Sequence, residues 1–524
     1  MAKTRPRNGD SAVDEKDKVS RLCFLIFVLL ALQAHAEPVT NGAGFDQALA
    51  ANVTAAALAF MAPRTLEPVA VSQLTVWGLR GVTALDPQLT AALRDDKLQL
   101  SAGERVLATL VPPSSEDPGS WADAFATLSA AAWAASPAVR HAGTGGILQS
   151  FFDEMFNHLD PYSRYVAPSA AAEDRERRSG SAGLGLTLGT RGGAVIVQQA
   201  IEDAPAALAG VREGDRILTV DGQPTRGHDA ATVGTWMAGP EDSTVAIGWR
   251  GRDGRVQQAE LVREMVPPET VFSQMFGDLL MIRVTGFNLR TGERMAHELD
   301  IAVAAARAPA GIVLDLRGNR GGLLREAVAA ASALLPPGVI AVTDGRDPQA
   351  TRVWRTDAGQ IGGNLPLVVL VDGRSASAAE VLAAALSDRG RAVVVGSATL
   401  GKGLVQTIDP LPDGGELFVT WSRILAPGGW PIQGLGVLPQ ICTSLGQDAL
   451  NRQLAALGDG IQPMQAAIAR HRAARAPLSP VQVLALRSPC PAAEGRDSDL
   501  ATARAVIANP AVYAAALLPV FTGQ

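Results

Sequence analysis

Lys402 is the only lysine between Leu98 and the C-terminus. The chain carries 46 basic side chains, of which only Lys3, Lys16, Lys18, Lys97 and Lys402 are lysines. Arginine stays protonated at any ordinary pH, whereas a buried lysine can give up its proton. A chain that uses arginine for its cations, yet keeps one amine inside Gly401-Lys402-Gly403, has a candidate neutral base. A hydroxyl is the group such a base would serve. Ser377 stands in Asp372-Gly373-Arg374-Ser375-Ala376-Ser377-Ala378-Ala379-Glu380, among small neighbours that leave room for a substrate backbone. A serine hydroxyl is a weak nucleophile without a base. His35, His141, His158, His228, His297 and His471 all lie outside these motifs, so the vacancy falls to Lys402. To work near neutral pH its pKa must fall from about 10.4 to roughly 7, a differential destabilisation of about 4–5 kcal/mol that burial can supply. Gln406 follows four residues on. In extended backbone an even separation puts both side chains on one face, so its amide oxygen is expected to accept from the amine.

Acyl transfer also needs donors where negative charge develops, and losing one typically costs about 10²–10³ in rate. The candidates are the backbone N–H of Ala378, at a helix N-terminus, and that of Gly321 or Gly322 in Asp315-Leu316-Arg317-Gly318-Asn319-Arg320-Gly321-Gly322. On the residues alone simpler readings stay open. Ser377-x-x-Glu380 is also a capping box, and Ser375 is a rival nucleophile. The glycine-rich run is equally a structural turn or a weak phosphate cradle, though it lacks the G-x-x-x-x-G-K-[ST] spacing.

These residues need a frame that brings them together. From 266 to 443 strand and helix patterns alternate, which predicts βαβ units and a largely parallel sheet. The two motifs fall at strand-to-helix junctions, where such sheets gather ligands. Residues 183–262 differ: short β-type runs are separated by Arg191-Gly192-Gly193, Glu213-Gly214-Asp215, Asp221-Gly222 and Asp253-Gly254, which predicts a small β-rich module. Residues 37–168 and 446–524 are rich in alanine and leucine and are expected to be helical. The charged, small-residue run 169–182 is expected to be a linker. The fold class is therefore multidomain α/β.

With 524 residues, 47% hydrophobic and 19% charged, the chain can bury a proper core. A net charge of −6 and the absence of a basic, aromatic-interleaved stripe argue against nucleic-acid binding. No Cys/His cluster has metal-ligand spacing, and the chemistry proposed needs no cofactor. Residues 1–36 are expected to be a signal peptide. Six basic and four acidic residues up to Arg21 precede an apolar run, Leu22–Leu32, and Ala34-His35-Ala36. Cleavage after Ala36 and export to the periplasm are the expectation. Cys442 and Cys490 would then remain as a pair available for one disulfide.

The stretch 311–441 resembles the C-terminal processing peptidases, tail-specific serine proteases of bacterial periplasm and chloroplast lumen. The shared features are DLRGNRGG (315–322), SASAAE (375–380), ALSDRGRAVVVGSATLGKGLVQ (385–406) and GWPIQGLGVLPQI (429–441), with Leu159-Asp160-Pro161-Tyr162-Ser163 upstream. The resemblance implies a crotonase/ClpP-like α/β peptidase core over 266–443. It favours Ser377 over Ser375 as nucleophile, with Lys402 as general base and Gln406 as its assistant. It further implies that 183–262 is a PDZ domain, in which Gly183-Leu184-Gly185-Leu186 resembles the carboxylate-binding loop. Protein or peptide substrates with exposed C-termini are then the expected partners. An adaptor protein, a homo-oligomer and peripheral membrane association are compatible with that reading. Arg320 and Gln440 stand where many relatives have proline and aspartate. Asp388 resembles an acidic position of the family and is read as structural.

Overall fold

The computed structural model describes residues 44–356, 359–363 and 365–520. The leader and its cleavage site after Ala36 lie outside the described residues. Residues 47–524 make one contact unit, and among the described residues no helix is long and apolar enough to cross a membrane.

The functional frame is a six-stranded sheet. Its parallel strands Leu279–Val284, Gly311–Asp315, Leu367–Val371, Val393–Gly396 and Ile441–Cys442 run side by side in that order, with Val271–Phe276 antiparallel at one edge. Leu367–Val371 is apolar along its whole length because both faces of the sheet are covered. Helices Leu324–Leu334 and Ala378–Asp388 lie on one side. On the other, Leu450, Leu457, Ala503, Val506 and Val512 of the C-terminal region pack on Val313, Val368 and Val395. The C-terminal region is thus half of this core. Cys442, in the last strand, is disulfide-bonded to Cys490 in that region.

The alternation of strand and helix did not announce a second sheet. Arg352–Thr356, Gly338–Gly345, Glu416–Leu425 and Leu404–Pro410 form an antiparallel layer, to which Arg164–Val166 adds. Helix Ala378–Asp388 packs between the two sheets, and all eleven of its residues are buried. A helix buried on every face, its Glu380 and Asp388 included, fits only such a place.

Two expectations need correction. The N-terminal region contains helices Gln47–Met61, Val71–Leu79, Pro118–Ala135 and Pro137–Phe156, but also an antiparallel meander of Leu89–Arg94, Lys97–Ala102 and Arg105–Leu110. Its first turn places both Asp95 (φ 48°) and Asp96 (φ 56°) in the left-handed region, the backbone a two-residue hairpin favours. The run read as a linker is a helix, Pro168–Ser179. Proline at its N-terminus and Arg177 and Arg178 in its last turn suit the helix ends. Arg175 (3.1 Å) and Arg178 (2.8 Å) bind the buried Glu416 and dock it on the antiparallel layer.

The β-rich module forms a sheet in the order Val256–Val262, Thr244–Arg250, Arg216–Val220, Ala194–Ala200, Leu186–Arg191. Leu186–Arg191 is an edge strand, flanked by helix Ala230–Met237.

His471, on helix Gln465–Arg472, is buried edge-on against Trp430. Burial drives its pKa from 6.5 down to about 4. The neutral ring therefore stabilises the fold in full above about pH 6.5, and this contribution is lost as pH falls through 4. The interval corresponds to roughly 3 kcal/mol. Urea titrations at pH 7 and pH 4.5 should show wild type losing more stability on acidification than His471→Phe. Equal losses would exclude this histidine as the source.

Candidate active site

Strands Gly311–Asp315 and Leu367–Val371 are parallel neighbours, with Asp315 opposite Leu370. The chain leaves both at the same end, so the two motif turns emerge side by side. Asp372 organises them: its Oδ1 accepts from the N–H groups of Gly318 (3.0 Å), Arg374 (3.0 Å) and Ser375 (2.9 Å). Ser375 is fully buried, and its hydroxyl reaches Leu316 O at 2.8 Å while accepting from the Asp372 N–H at 3.0 Å. That hydroxyl holds the turn and is closed to a substrate.

Ser377 is half-buried and sits at φ 56°, ψ −119°. An N-cap residue normally has extended dihedrals; a non-glycine residue held in this region is strained, and such strain gathers at functional sites. Capping alone does not account for it. Gly321 lies against it. A Cβ on Gly321 would come within 2.7 Å of Ser377 Cβ and 2.9 Å of the Ala378 nitrogen. Ala378 opens the helix, so its N–H has no acceptor within the helix. The Gly321 N–H is different: it donates to Asn319 Oδ1 at 2.8 Å. Asn319 is fully buried and anchored to Val284 O at 2.8 Å. Gly321 therefore cannot offer that N–H to an oxyanion, which leaves Gly322 of the two.

Glu380 joins the serine to the lysine. It is fully buried. Its Oε2 accepts from the N–H of Ser377 (2.7 Å) and from the N–H of Lys402 (2.8 Å). The two backbone nitrogens can be no farther apart than those two bonds laid end to end. Its Oε1 takes the Gly401 N–H (2.6 Å) and the Thr399 hydroxyl. Burial pushes the Glu380 carboxyl up, while these four donors favour the charged form.

Lys402 rides on a strap, Gly401–Gly403, ahead of strand Leu404–Pro410. The strap runs backbone against backbone with its neighbour: a Cβ on Gly403 would stand 2.2 Å from the Gln433 nitrogen. Lys402 Nζ lies 4.9 Å from the centre of the Tyr162 ring. Burial and the Arg164 cation lower its pKa, against the opposing pull of Glu380 and Asp160. This is the direction that a lysine base requires.

Gln406 is on the strand, but its amide donates to Leu404 O (3.2 Å) and Thr420 Oγ1 (3.1 Å). The pairing of this strand shifts register between Val405 and Gln406, and the expected contact of Gln406 with the Lys402 amine is absent. Thr420 Oγ1 in turn donates to Asp160 Oδ1 at 2.7 Å. The Leu159–Ser163 segment thereby forms one wall of the site.

Comparison with known proteins identifies two domains. The model of peptidase family S41 matches residues 278–443, and that of the PDZ domain matches residues 196–251. A carboxy-terminal-processing protease of Bartonella bacilliformis is 33% identical over 304 residues, spanning 56% of this chain and 69% of that protein. The chain belongs to the C-terminal processing peptidase family. It is accordingly a serine-type peptidase with a PDZ domain. A chloroplastic C-terminal processing peptidase of Tetradesmus obliquus is 33% identical over 331 residues, spanning 56% of this chain and 70% of that one. A solved photosystem II D1 C-terminal processing protease is 28% identical, with 72% of this chain and 97% of that one covered and a TM-score of 0.35.

In this C-terminal processing peptidase the PDZ edge strand Leu186–Arg191 borders a groove of about 320 Å³, lined by Leu186, Leu188, Ile201 and Met237 among others. Gly183-Leu184-Gly185-Leu186 also lines it. Leu184 is buried, and Gly185, at φ 75°, has no room for a Cβ beside Ala204 (2.3 Å). Among the described residues no His/Cys/Asp/Glu cluster is suited to a metal ion.

Sequence reasoning missed Glu380 as the link, seeing it only as a capping partner. Its S-x-x-E spacing was the available signal. Tyr162 and Thr399 lay inside segments that carry the resemblance, but nothing singled them out, because their roles come from contacts far along the chain.

Proposed function

We propose that this chain is an exported endopeptidase that captures protein C-termini in its PDZ groove and cuts them with a Ser377/Lys402 dyad. The observation that carries the reading is the single Glu380 oxygen shared by the N–H groups of Ser377 and Lys402. Export is supported by the leader pattern and by the Cys442–Cys490 bond, which suits an oxidising compartment.

Neutral Lys402 takes the proton of Ser377 as Oγ attacks the substrate carbonyl. The oxyanion is held by the N–H groups of Ala378 and Gly322. The lysine, now charged, gives the proton to the leaving amine, and the acyl-enzyme remains. A water then loses its proton to Lys402, attacks the ester and releases the new carboxylate with the serine restored. Gln406 acts at one remove, by fixing Thr420 and Asp160 beside the amine.

An extended peptide would add to strand Leu186–Arg191, its terminal carboxylate on the Gly183–Leu186 backbone and its last side chain in the apolar groove. The test is a matched pair of protein substrates with an apolar last residue, one with a free carboxylate and one amidated. Amidation should lower kcat/KM at least tenfold, mostly through KM. Equal cleavage would remove C-terminal capture from the account.

A further inference from the structure

The C-terminal region touches the nucleophile turns through Gly495, whose N–H donates to Asp372 Oδ2, and Ala493, whose carbonyl accepts from the Gly373 N–H; at the lysine side it bonds through Arg487. Arg487 ends helix Pro480–Arg487, beyond the residues matched by the peptidase family. Its Nη2 donates to Thr399 O (2.7 Å), and its Nη1 to Leu435 O (2.6 Å) and Gly434 O (3.1 Å). These carbonyls belong to the residue pair just ahead of the lysine strap and to the segment the strap runs against. Thr399 precedes the strap, with its hydroxyl on Glu380. Gly434 donates to Gly401 O at 2.9 Å, and Val437 donates to Thr399 Oγ1 at 2.7 Å. One planar guanidinium thus pins 399–403 to 433–437, within reach of the Glu380 charge. Cys490, three residues on, is tied to Cys442 of the parallel sheet.

We infer that Arg487 is a positioning residue for the reaction: it braces the glycine-flanked strap so that the Lys402 amine stays out of water and aimed at Ser377. The inference rests on the dyad reading above. Glycines on either side leave the strap little stiffness of its own, and a misplacement of about 1 Å can cost on the order of 10²-fold in rate. The groups facing Lys402 are Arg164 on its strand, Asp160 and Tyr162 on the preceding loop, and Glu380 on the nucleophile helix. None of them replaces the three carbonyl contacts. A strap freed from Arg487 hydrates the amine, whose pKa then climbs back towards that of free lysine.

The experiment compares Arg487→Ala, Arg487→Lys and Lys402→Arg with wild type in the full chain. It measures kcat and KM on a fluorogenic peptide from pH 5 to pH 9, together with the thermal midpoint. Arg487→Ala should lower kcat roughly 10- to 100-fold with KM little changed. The acid limb of kcat/KM, which reports the free enzyme's base, should move up by about one pH unit or more. Arg487→Lys keeps the charge and can hold one carbonyl but not three; it should stay folded and show the same displacement in part. If either folded variant keeps both kcat and the acid limb of wild type, with or without a lower thermal midpoint, Arg487 only docks a helix and the inference is overturned. If Lys402→Arg remains active, the dyad reading fails and this inference falls with it. If Lys402→Arg is inactive while the Arg487 variants match wild type, only the brace is lost.

Discussion

Lys402→Arg is expected to lower kcat by about 10⁴ or more while the protein still folds and still binds substrate C-termini. Arginine preserves the cation and most of the length, so packing against Tyr162 survives. What it removes is the ability to exist uncharged. Ser377→Ala should cost a similar factor by a different route, since it deletes the attacking oxygen. Groups that act as one unit are strongly non-additive. The double variant should therefore be no slower than either single one, and its residual rate should reflect only the oxyanion donors and binding. Independent, multiplying losses would show that the serine and the lysine do not serve the same step. The wild-type pH profile carries the matching sign. Below its pKa the amine is charged and cannot take the serine's proton, so activity falls on acidification. Because burial and Arg164 lower that pKa from 10.5, the acid limb must lie below the position of an ordinary lysine. A limb at or above 10.5 would contradict the burial on which the base depends.

Much of this site was legible because its parts are local. Strand-to-helix junctions at Asp315 and Asp372 follow from apolar runs ended by glycine and serine, and parallel pairing then sets the two turns side by side. The lone lysine stood out against a background of arginine. Composition could not choose between Ser375 and Ser377, because both lie among small residues in the same turn. The choice depends on which hydroxyl is already engaged, and Ser375 is engaged with Leu316, 59 positions away in sequence. Gln406 was placed on the right strand, yet its partner was misjudged, since regular pairing was assumed through a strand whose register shifts between Val405 and Gln406. The C-terminal helices read as an appendage because alanine-rich amphipathic segments look alike wherever they dock. That they cover the second face of the sheet was implicit in Leu367–Val371, five apolar residues that no one-sided sheet would need.

Glu380→Gln should be the most informative single change after the dyad itself. Charged Glu380 offers four acceptor positions, and four donors use them: Ser377, Thr399, Gly401 and Lys402. Glutamine has nearly the same shape, but one of its two ends is a donor. Either Ser377 and Lys402 or Thr399 and Gly401 would then face an N–H₂ group. A buried donor left without an acceptor costs about 1–3 kcal/mol, so stability should fall by roughly 2–6 kcal/mol for the pair. If the strap and the serine turn separate in response, kcat should drop about 10²-fold or more. The pH profile should move in the opposite sense to that of Arg487→Ala. The Glu380 charge raises the Lys402 pKa, so its removal lowers that pKa further and carries the acid limb towards lower pH. Loosening the strap and discharging its anchor both slow the enzyme, but they shift its base in opposite directions. An alkaline displacement in a folded Glu380→Gln would mean that the carboxylate acts mainly by keeping the amine dry, and its charge would then be secondary.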